Sequence, residues 1–144
     1  MNKREHNAKE RLSLLFPFRV RYSEIDAQGV VFNAHYLTYL DTAVTEYLRW
    51  QNFNVWQQAA TGFDFHTVKT VVEYRAPIKF DDEIEVGVKL GSHGRSSLTW
   101  ELAIFHQGDE RVLSTGEVVW VYVDMAAHKA TPIPEELLVH LRLV

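Results

Sequence analysis

The sequence predicts an α+β domain in which a five-stranded antiparallel sheet wraps around one long helix. Three observations predict it. Residues 16–22 alternate apolar with polar side chains, residues 37–48 carry apolar side chains at three- and four-residue steps, and from residue 66 onward four apolar segments follow one another across short turns. A period of two marks a half-buried strand and a period of 3.6 an amphipathic helix. A helix with one apolar stripe needs a sheet to lie against.

Phe16, Phe18, Val20 and Tyr22 alternate with Pro17, Arg19 and Arg21, and the strand pattern ends at Ser23. Proline is tolerated near a strand's start. Leu37, Leu40, Ala43, Val44, Tyr47 and Leu48 share one side of a helix, while Thr38, Asp41, Thr42, Thr45, Glu46 and Arg49 take the other. Residues 54–60 predict a second, short helix that stops at Gly62, where a residue without a side chain suits the left-handed cap. Residues 66–75 predict a strand closed by Pro77. Ile84, Val86, Val88 and Leu90 alternate with Glu85, Gly87 and Lys89, and the turn S-H-G-R-S-S leads to Leu98, Trp100, Leu102 and Ile104 alternating with Thr99, Glu101 and Ala103. Q-G-D-E makes the next hairpin, and residues 112–123 are apolar on both faces, as an interior strand is. H-K-A-T-P-I-P-E-E-L-L closes the chain as a tail. Such a sheet keeps one face and at least one edge uncovered, and edges pair with other chains. A homo-oligomer is expected.

The 144 residues fit one domain, read as residues 13–144, preceded by a polar segment of residues 1–12 that is a loose tail or a frayed helical turn. A net charge of −4 with both signs spread along the chain lacks the basic stripe that nucleic acids require, so no nucleic-acid partner is expected. The absence of cysteine excludes disulfides, thiolate zinc sites and cysteine nucleophiles. No apolar run is long enough to span a membrane or to serve as the core of a signal peptide, and a cytoplasmic protein is expected. His35, His66, His93 and His106 show no metal-ligand spacing, and neither a G-x-S-x-G elbow nor a glycine-rich phosphate loop occurs. No metal and no cofactor are expected.

The informative stretch is R-Y-S-E-I-D-A-Q-G-V-V-F-N-A-H-Y-L, which places Asp26 in a short, largely apolar crossing between strand and helix. The order of elements and the residues D-A-Q-G-V-V-F-N-A-H-Y-L, from Asp26 to Leu37, resemble the hotdog-fold acyl-CoA thioesterases of the 4-hydroxybenzoyl-CoA thioesterase group. The likeness runs from about Phe16 to Pro134 and includes V-E-Y-R-A-P at 72–77, F-D-D at 80–82 and G-R-S-S at 94–97. It implies a hotdog fold working as a dimer or tetramer, an active site at a subunit interface, no metal, hydrolysis of a thioester to a carboxylic acid and a thiol, and Asp26 as the catalytic carboxylate. Some members carry histidine where this chain has Asn33; His35 does not match that position.

Thioester hydrolysis needs a base or nucleophile, oxyanion stabilisation and an apolar slot. An aspartate is ionised at neutral pH, so Asp26 needs no helper to act, either on water or by direct attack. If the helix begins at Asn33 or Ala34, the unpaired N–H groups of its first turn face the Asp26 loop, and the backbone N–H of Asn33 becomes the oxyanion donor. Gly29, Val30 and Val31, within the motif, are expected to border the substrate. Arg95, with Ser96 and Ser97, is the expected anchor for coenzyme A phosphates, with Arg75 or Lys79 as alternatives. Phe53, Trp56, Phe63 and Phe65 either line the acyl slot or pack the short helix.

Ordinary roles compete for several of these residues. Asp26 can cap backbone groups, and the Asn33 side chain can cap the helix. Glu24 reads as a solvated charge at a strand end, and Asp41 and Thr45 as a wet helix face. An acyl carrier protein can replace coenzyme A as thiol carrier, and a non-catalytic acyl-CoA-binding protein can use the same pocket.

Overall fold

The computed structural model describes residues 8–142, so the first seven residues of the expected tail lie outside the described residues. Lys9–Arg11 forms a 3-10 turn, and Lys9 pairs with Glu85 at 3.2 Å. Residues 8–12 are therefore docked on the sheet. The strands are β1 (Leu14–Arg19), β2 (Phe63–Tyr74), β3 (Glu83–His93), β4 (Ser97–His106), β5 (Val112–Asp124) and a two-residue β6 (Lys129–Ala130). The helices are α1 (His35–Trp50), α2 (Val55–Ala60) and α3 (Glu135–His140). The tail expected after residue 124 is thus partly ordered as β6 and α3.

Several boundaries differ from expectation for identifiable reasons. The first strand stops at Arg19, because the Glu24 carboxylate accepts the Arg21 N–H and folds Tyr22–Glu24 into a 3-10 turn. α1 starts at His35 with Ala34 as its N-cap, one to two residues later than expected. Its buried stripe is Tyr36, Tyr39, Leu40, Ala43, Val44, Tyr47 and Leu48; Leu37, expected inside, lies at the margin of the stripe and is 49% exposed. β2 begins at Phe63, three residues early. β3 continues through Ser92 and His93 past an irregularity at Leu90/Ser92, so the expected six-residue turn shrinks to residues 94–96. The expected α2 is present, with the Asn54 side chain accepting the N–H groups of Trp56 and Gln57 at 3.0 Å and Gly62 at φ +84° beyond its end.

All pairings are antiparallel, in the order β1-β3-β4-β5-β2, with β6 on β5. β5 is flanked by β4 and β2, the interior place that its two apolar faces predict. The sheet curls around α1, whose stripe packs on Val86, Val88, Leu98, Trp100, Leu102, Ile104 and Val118. Leu137 and Leu141 close the end of this core, and the Tyr47 hydroxyl donates to the Leu141 carbonyl at 3.0 Å. On the outer face, Leu12 and Leu15 cover Ala103, Phe105 and Val112. This is the hotdog architecture.

Helix and sheet approach one another closely at Gly116 on β5, where a Cβ would stand 2.6 Å from Leu40 Cδ1. Leu40 is fully buried and has nowhere to retreat. Gly116→Ala is expected to overpack this contact and destabilise the fold by about 1–3 kcal/mol, lowering Tm by roughly 3–9 °C in a thermal melt.

Candidate active site

The crossing from β1 to α1 is an arch. Its two arms meet where the Phe32 N–H donates to the Glu24 carbonyl at 2.9 Å and Ile25 bridges Val31. Its tip is the turn 26–30: the Gly29 N–H donates to the Asp26 carbonyl at 3.0 Å and the Asp26 N–H to the Val30 carbonyl at 2.9 Å. Gly29 takes φ +77°, a region that L side chains avoid, so the tightness of this turn requires glycine. The segment before β3 then holds the arch, through Val31 N–H to Ile78 carbonyl at 2.8 Å, Phe80 N–H to Gly29 carbonyl at 3.3 Å and a bridge from Val30 to Lys79.

Glu24 is the anchor of the arch, contrary to its reading as a solvated charge. It is 5% exposed. Oε1 accepts the Arg21 N–H at 2.8 Å and the Tyr39 hydroxyl at 3.0 Å, and Oε2 accepts the Arg21 guanidinium at 2.8 Å. Burial pulls this carboxyl's pKa upward, but the hydrogen bonds from the Arg21 side chain, the Arg21 backbone and Tyr39, with the Arg21 charge, outweigh it and leave the pKa lowered. Burial and then the bond to Glu24 push the Tyr39 hydroxyl up.

At the tip, Asp26 is half-buried and its Oδ1 accepts the Gln28 N–H at 2.8 Å, so the capping role is present. Oδ2 has no hydrogen-bond partner among the described residues. Asp26, Val30, Val31, Asn33, Tyr36, Tyr74 and Arg75 border one open cleft of about 440 Å³, joined by Gln28, Phe32, Ala76 and Pro77. The side chain of Asn33 makes no cap: Ala34 occupies that position and no side chain bonds to the first turn. The N–H groups of His35 and Tyr36 already bond to the carbonyls of Phe32 and Asn33, whereas among the described residues those of Asn33 and Ala34 donate to nothing. The residues that carry the carboxylate and one unused amide, Asp26 and Asn33, therefore line the same cleft.

Other expected residues lie elsewhere. Arg95 and Ser96 form the β3–β4 turn and Ser97 opens β4. None of the three lines the cleft. The arch abuts the start of β3 and Arg95 follows its end, which across ten residue steps at ~3.3 Å separates them by roughly 33 Å within one protomer. Phe53 and Trp56 border a hollow of about 410 Å³ beside the C-terminal half of α1, and Phe63 and Phe65 pack on Tyr122. None of these four reaches Asp26's cleft. Asp41 lines a separate groove of about 230 Å³ between α1 and β2, and Thr45 the 410 Å³ hollow. His106 pairs with Asp82 at 3.0 Å. Size does not single out the Asp26 cleft; its chemistry does. Tyr36 and Tyr74 were not expected there, although V-E-Y-R-A-P, quoted only as a family motif, already contained Tyr74 and Arg75.

Glu24→Gln keeps an acceptor for Tyr39 but loses the ionic bond to Arg21, and Glu24→Ala leaves a buried hydroxyl without its partner, an omission that typically costs about 1–3 kcal/mol. Chemical denaturation is expected to rank stability as wild type, then Gln, then Ala. Because the folded pKa of Glu24 lies below its unfolded value, its contribution is complete above the ordinary carboxyl range near pH ~4.3 and fades as pH falls through the lowered folded value. The gap between wild type and Glu24→Gln should accordingly narrow in melts run progressively below that range.

The sequence profile of the thioesterase-like superfamily matches residues 20–141. The chain is 32% identical over 127 residues to the acyl-CoA thioester hydrolase YbgC of Escherichia coli O6:H1, covering 88% of this chain and 94% of that protein. It is 31% identical over 126 residues to the acyl-CoA thioesterase YbgC of Haemophilus influenzae, covering 85% and 89%. Among solved structures it matches Slr0204, a 1,4-dihydroxy-2-naphthoyl-CoA thioesterase from Synechocystis, with a TM-score of 0.81 over 90% of this chain and 96% of that one; at 17% identity this likeness speaks for the fold alone. With a profile that spans most of its length and relatives aligned from end to end, the chain belongs to the thioesterase-like superfamily.

Proposed function

We propose that the protein is an acyl-CoA thioesterase in which Asp26 supplies the reactive carboxylate and the helix-entry amide of Asn33 stabilises the oxyanion. The carrying observation is the shared cleft, lined by Asp26, whose carboxylate has one uncommitted oxygen, and by Asn33, whose N–H is uncommitted. In the general-base route, Oδ2 takes a proton from water as the water oxygen bonds to the thioester carbon. The carbonyl electrons move to oxygen and are held by the Asn33 N–H. The intermediate then collapses, the carbon–sulfur bond breaks, and the proton passes to the departing thiolate. In the nucleophilic route the carboxylate oxygen bonds to that carbon first and the carbon–sulfur bond breaks, releasing the thiolate; water then hydrolyses the resulting anhydride, regenerating the Asp26 carboxylate, and the proton it gives up passes to the thiolate. Both routes use the same two groups, aided by the positive end of α1.

Coenzyme A phosphates need cations. Arg75 borders the cleft itself. Arg95 belongs to the far end of the sheet, and a dimer brings it near. β2 is an edge strand with Phe63, Val68, Val71 and Tyr74 exposed. Two copies joined antiparallel along β2 reverse the strand direction across the joint, so the β3–β4 turn of one protomer comes level with the Asp26 arch of the other. In this arrangement Arg95, Ser96 and Ser97 serve the site across the interface, as a cytoplasmic homodimer using free acyl-CoA would require.

Thiol release from a panel of short, long and aromatic acyl-CoA esters tests the chemistry. Asp26→Asn is expected to lose at least ~10²-fold in kcat while binding acyl-CoA as before; equal turnover by both proteins would rule out the assignment. Val71→Lys places like charges across the joint, and light scattering should then report the mass of one chain where the wild type gives two, with activity falling alongside. A wild type that is already monomeric and fully active would rule out the shared site.

A further inference from the structure

The cleft of Asp26 shares the seam between α1 and β2 with a second hollow. Tyr36 and Tyr74 border the cleft where helix and strand meet, their rings edge-on with centroids 4.8 Å apart. Further along the same seam lies the groove of about 230 Å³. Leu40, Val44 and Trp120 give it an apolar floor. Leu37 and, one helical turn on, Asp41 stand along its helix margin, and Thr70 and Thr67 along the strand. The Asp41 carboxylate has no hydrogen-bond partner among the described residues, and the Thr45 hydroxyl donates to its backbone carbonyl instead, at 3.0 Å.

Size and polarity together describe an occupant. At ~30 Å³ per non-hydrogen atom the groove takes about eight of them, the size of a six-carbon acyl group with one hydroxyl. Asp41 follows Asn33 by eight positions, about 12 Å along the helix at ~1.5 Å per residue, so a chain held by its carbonyl at the helix entry reaches Asp41 with its far end. A plain alkyl chain there strips water from a carboxylate and gives it nothing in return, whereas a hydroxyl restores the lost bond. An ammonium restores it too, but costs more to bring out of water into a groove floored by leucine, valine and tryptophan. We propose that this groove is the acyl pocket and that Asp41, with Thr67 and Thr70 beside it, selects acyl groups of about six carbons that end in a hydroxyl. This rests on the thioesterase reading and gives it a substrate class. In the ordinary alternative the groove faces a second copy of the chain, and Asp41 is a rim charge of that contact.

Heptanoyl-CoA and 6-hydroxyhexanoyl-CoA fill the groove equally and differ only in a methyl or a hydroxyl at the tip. The hydroxylated ester is expected to show a kcat/KM roughly five- to fiftyfold higher, short of what a fully buried polar site achieves because Asp41 stands at the rim. Calorimetric titration of Asp26→Asn with the two esters should show the same preference in Kd. Adding Asp41→Leu should reverse the preference in both measurements, with Tm kept because residue 41 is exposed on the helix surface. A wild type that prefers heptanoyl-CoA overturns the proposal, and so does a preference that survives Asp41→Leu. A change of oligomeric mass in Asp41→Leu with the preference intact would assign the groove to a subunit contact and likewise overturn it. Equal turnover by wild type and Asp26→Asn would overturn the thioesterase reading alone, the groove then being judged by the binding preference.

Discussion

The arrangement depends on a carboxylate that is not among those lining the Asp26 cleft. Glu24 sits under the crossing from strand to helix, and its two oxygens tie the turn before the arch to Tyr39 on the second turn of α1. Its carbonyl simultaneously takes the N–H of Phe32, just ahead of the helix entry. One residue thereby sets the path by which the chain leaves β1, the separation of the arch's arms and the place where α1 begins. An ionised group is worth burying here because every one of its contacts is a hydrogen bond to a donor fixed by other structure, and Arg21 keeps its charge in reach of water.

The cleft above this anchor combines opposite electrostatic requirements. The proposed chemistry asks Asp26 to keep a free lone pair in a polar mouth, while the helix entry presents partial positive charge to the same space. The arch meets both demands by geometry. Oδ1 is committed to the turn, which holds the carboxylate still, and Oδ2 has no hydrogen-bond partner among the described residues. The amides nearest the helix are split in the same manner: those of His35 and Tyr36 close the first turn, and those of Asn33 and Ala34 are left over.

Much of this was legible in the sequence, and the misses have physical causes. Alternation and helical spacing located α1 and the five long strands, and the two-faced apolarity of residues 112–123 identified an interior strand. Boundaries failed where side chains compete with backbone pairing, as at Glu24, whose carboxylate folds Tyr22–Glu24 into a turn where the alternation through Tyr22 still predicts strand. Tyr36 and Tyr39 were missed on the buried stripe and Leu37 was included in it, because hydrophobicity alone does not report the rotation of a helix about its axis. Asp26 and Asn33 fall in one cleft as their spacing suggested. The bond from Tyr74 to the Asn33 carbonyl could not be read, because the two residues lie forty-one positions apart and only the sheet brings them together.

The irregularity in β2 has a bearing beyond the site. Thr67 pairs with Trp120 and Lys69 with the adjacent Val119, so Val68 is an inserted residue that bends the strand. A long, flat, apolar border would template endless stacking of chains into fibrils, whereas this one is straight only from Lys69 to Tyr74. The kink therefore works as a terminator: it shortens the straight border an added strand could follow and denies the open-ended growth that an uninterrupted strand of twelve residues would invite.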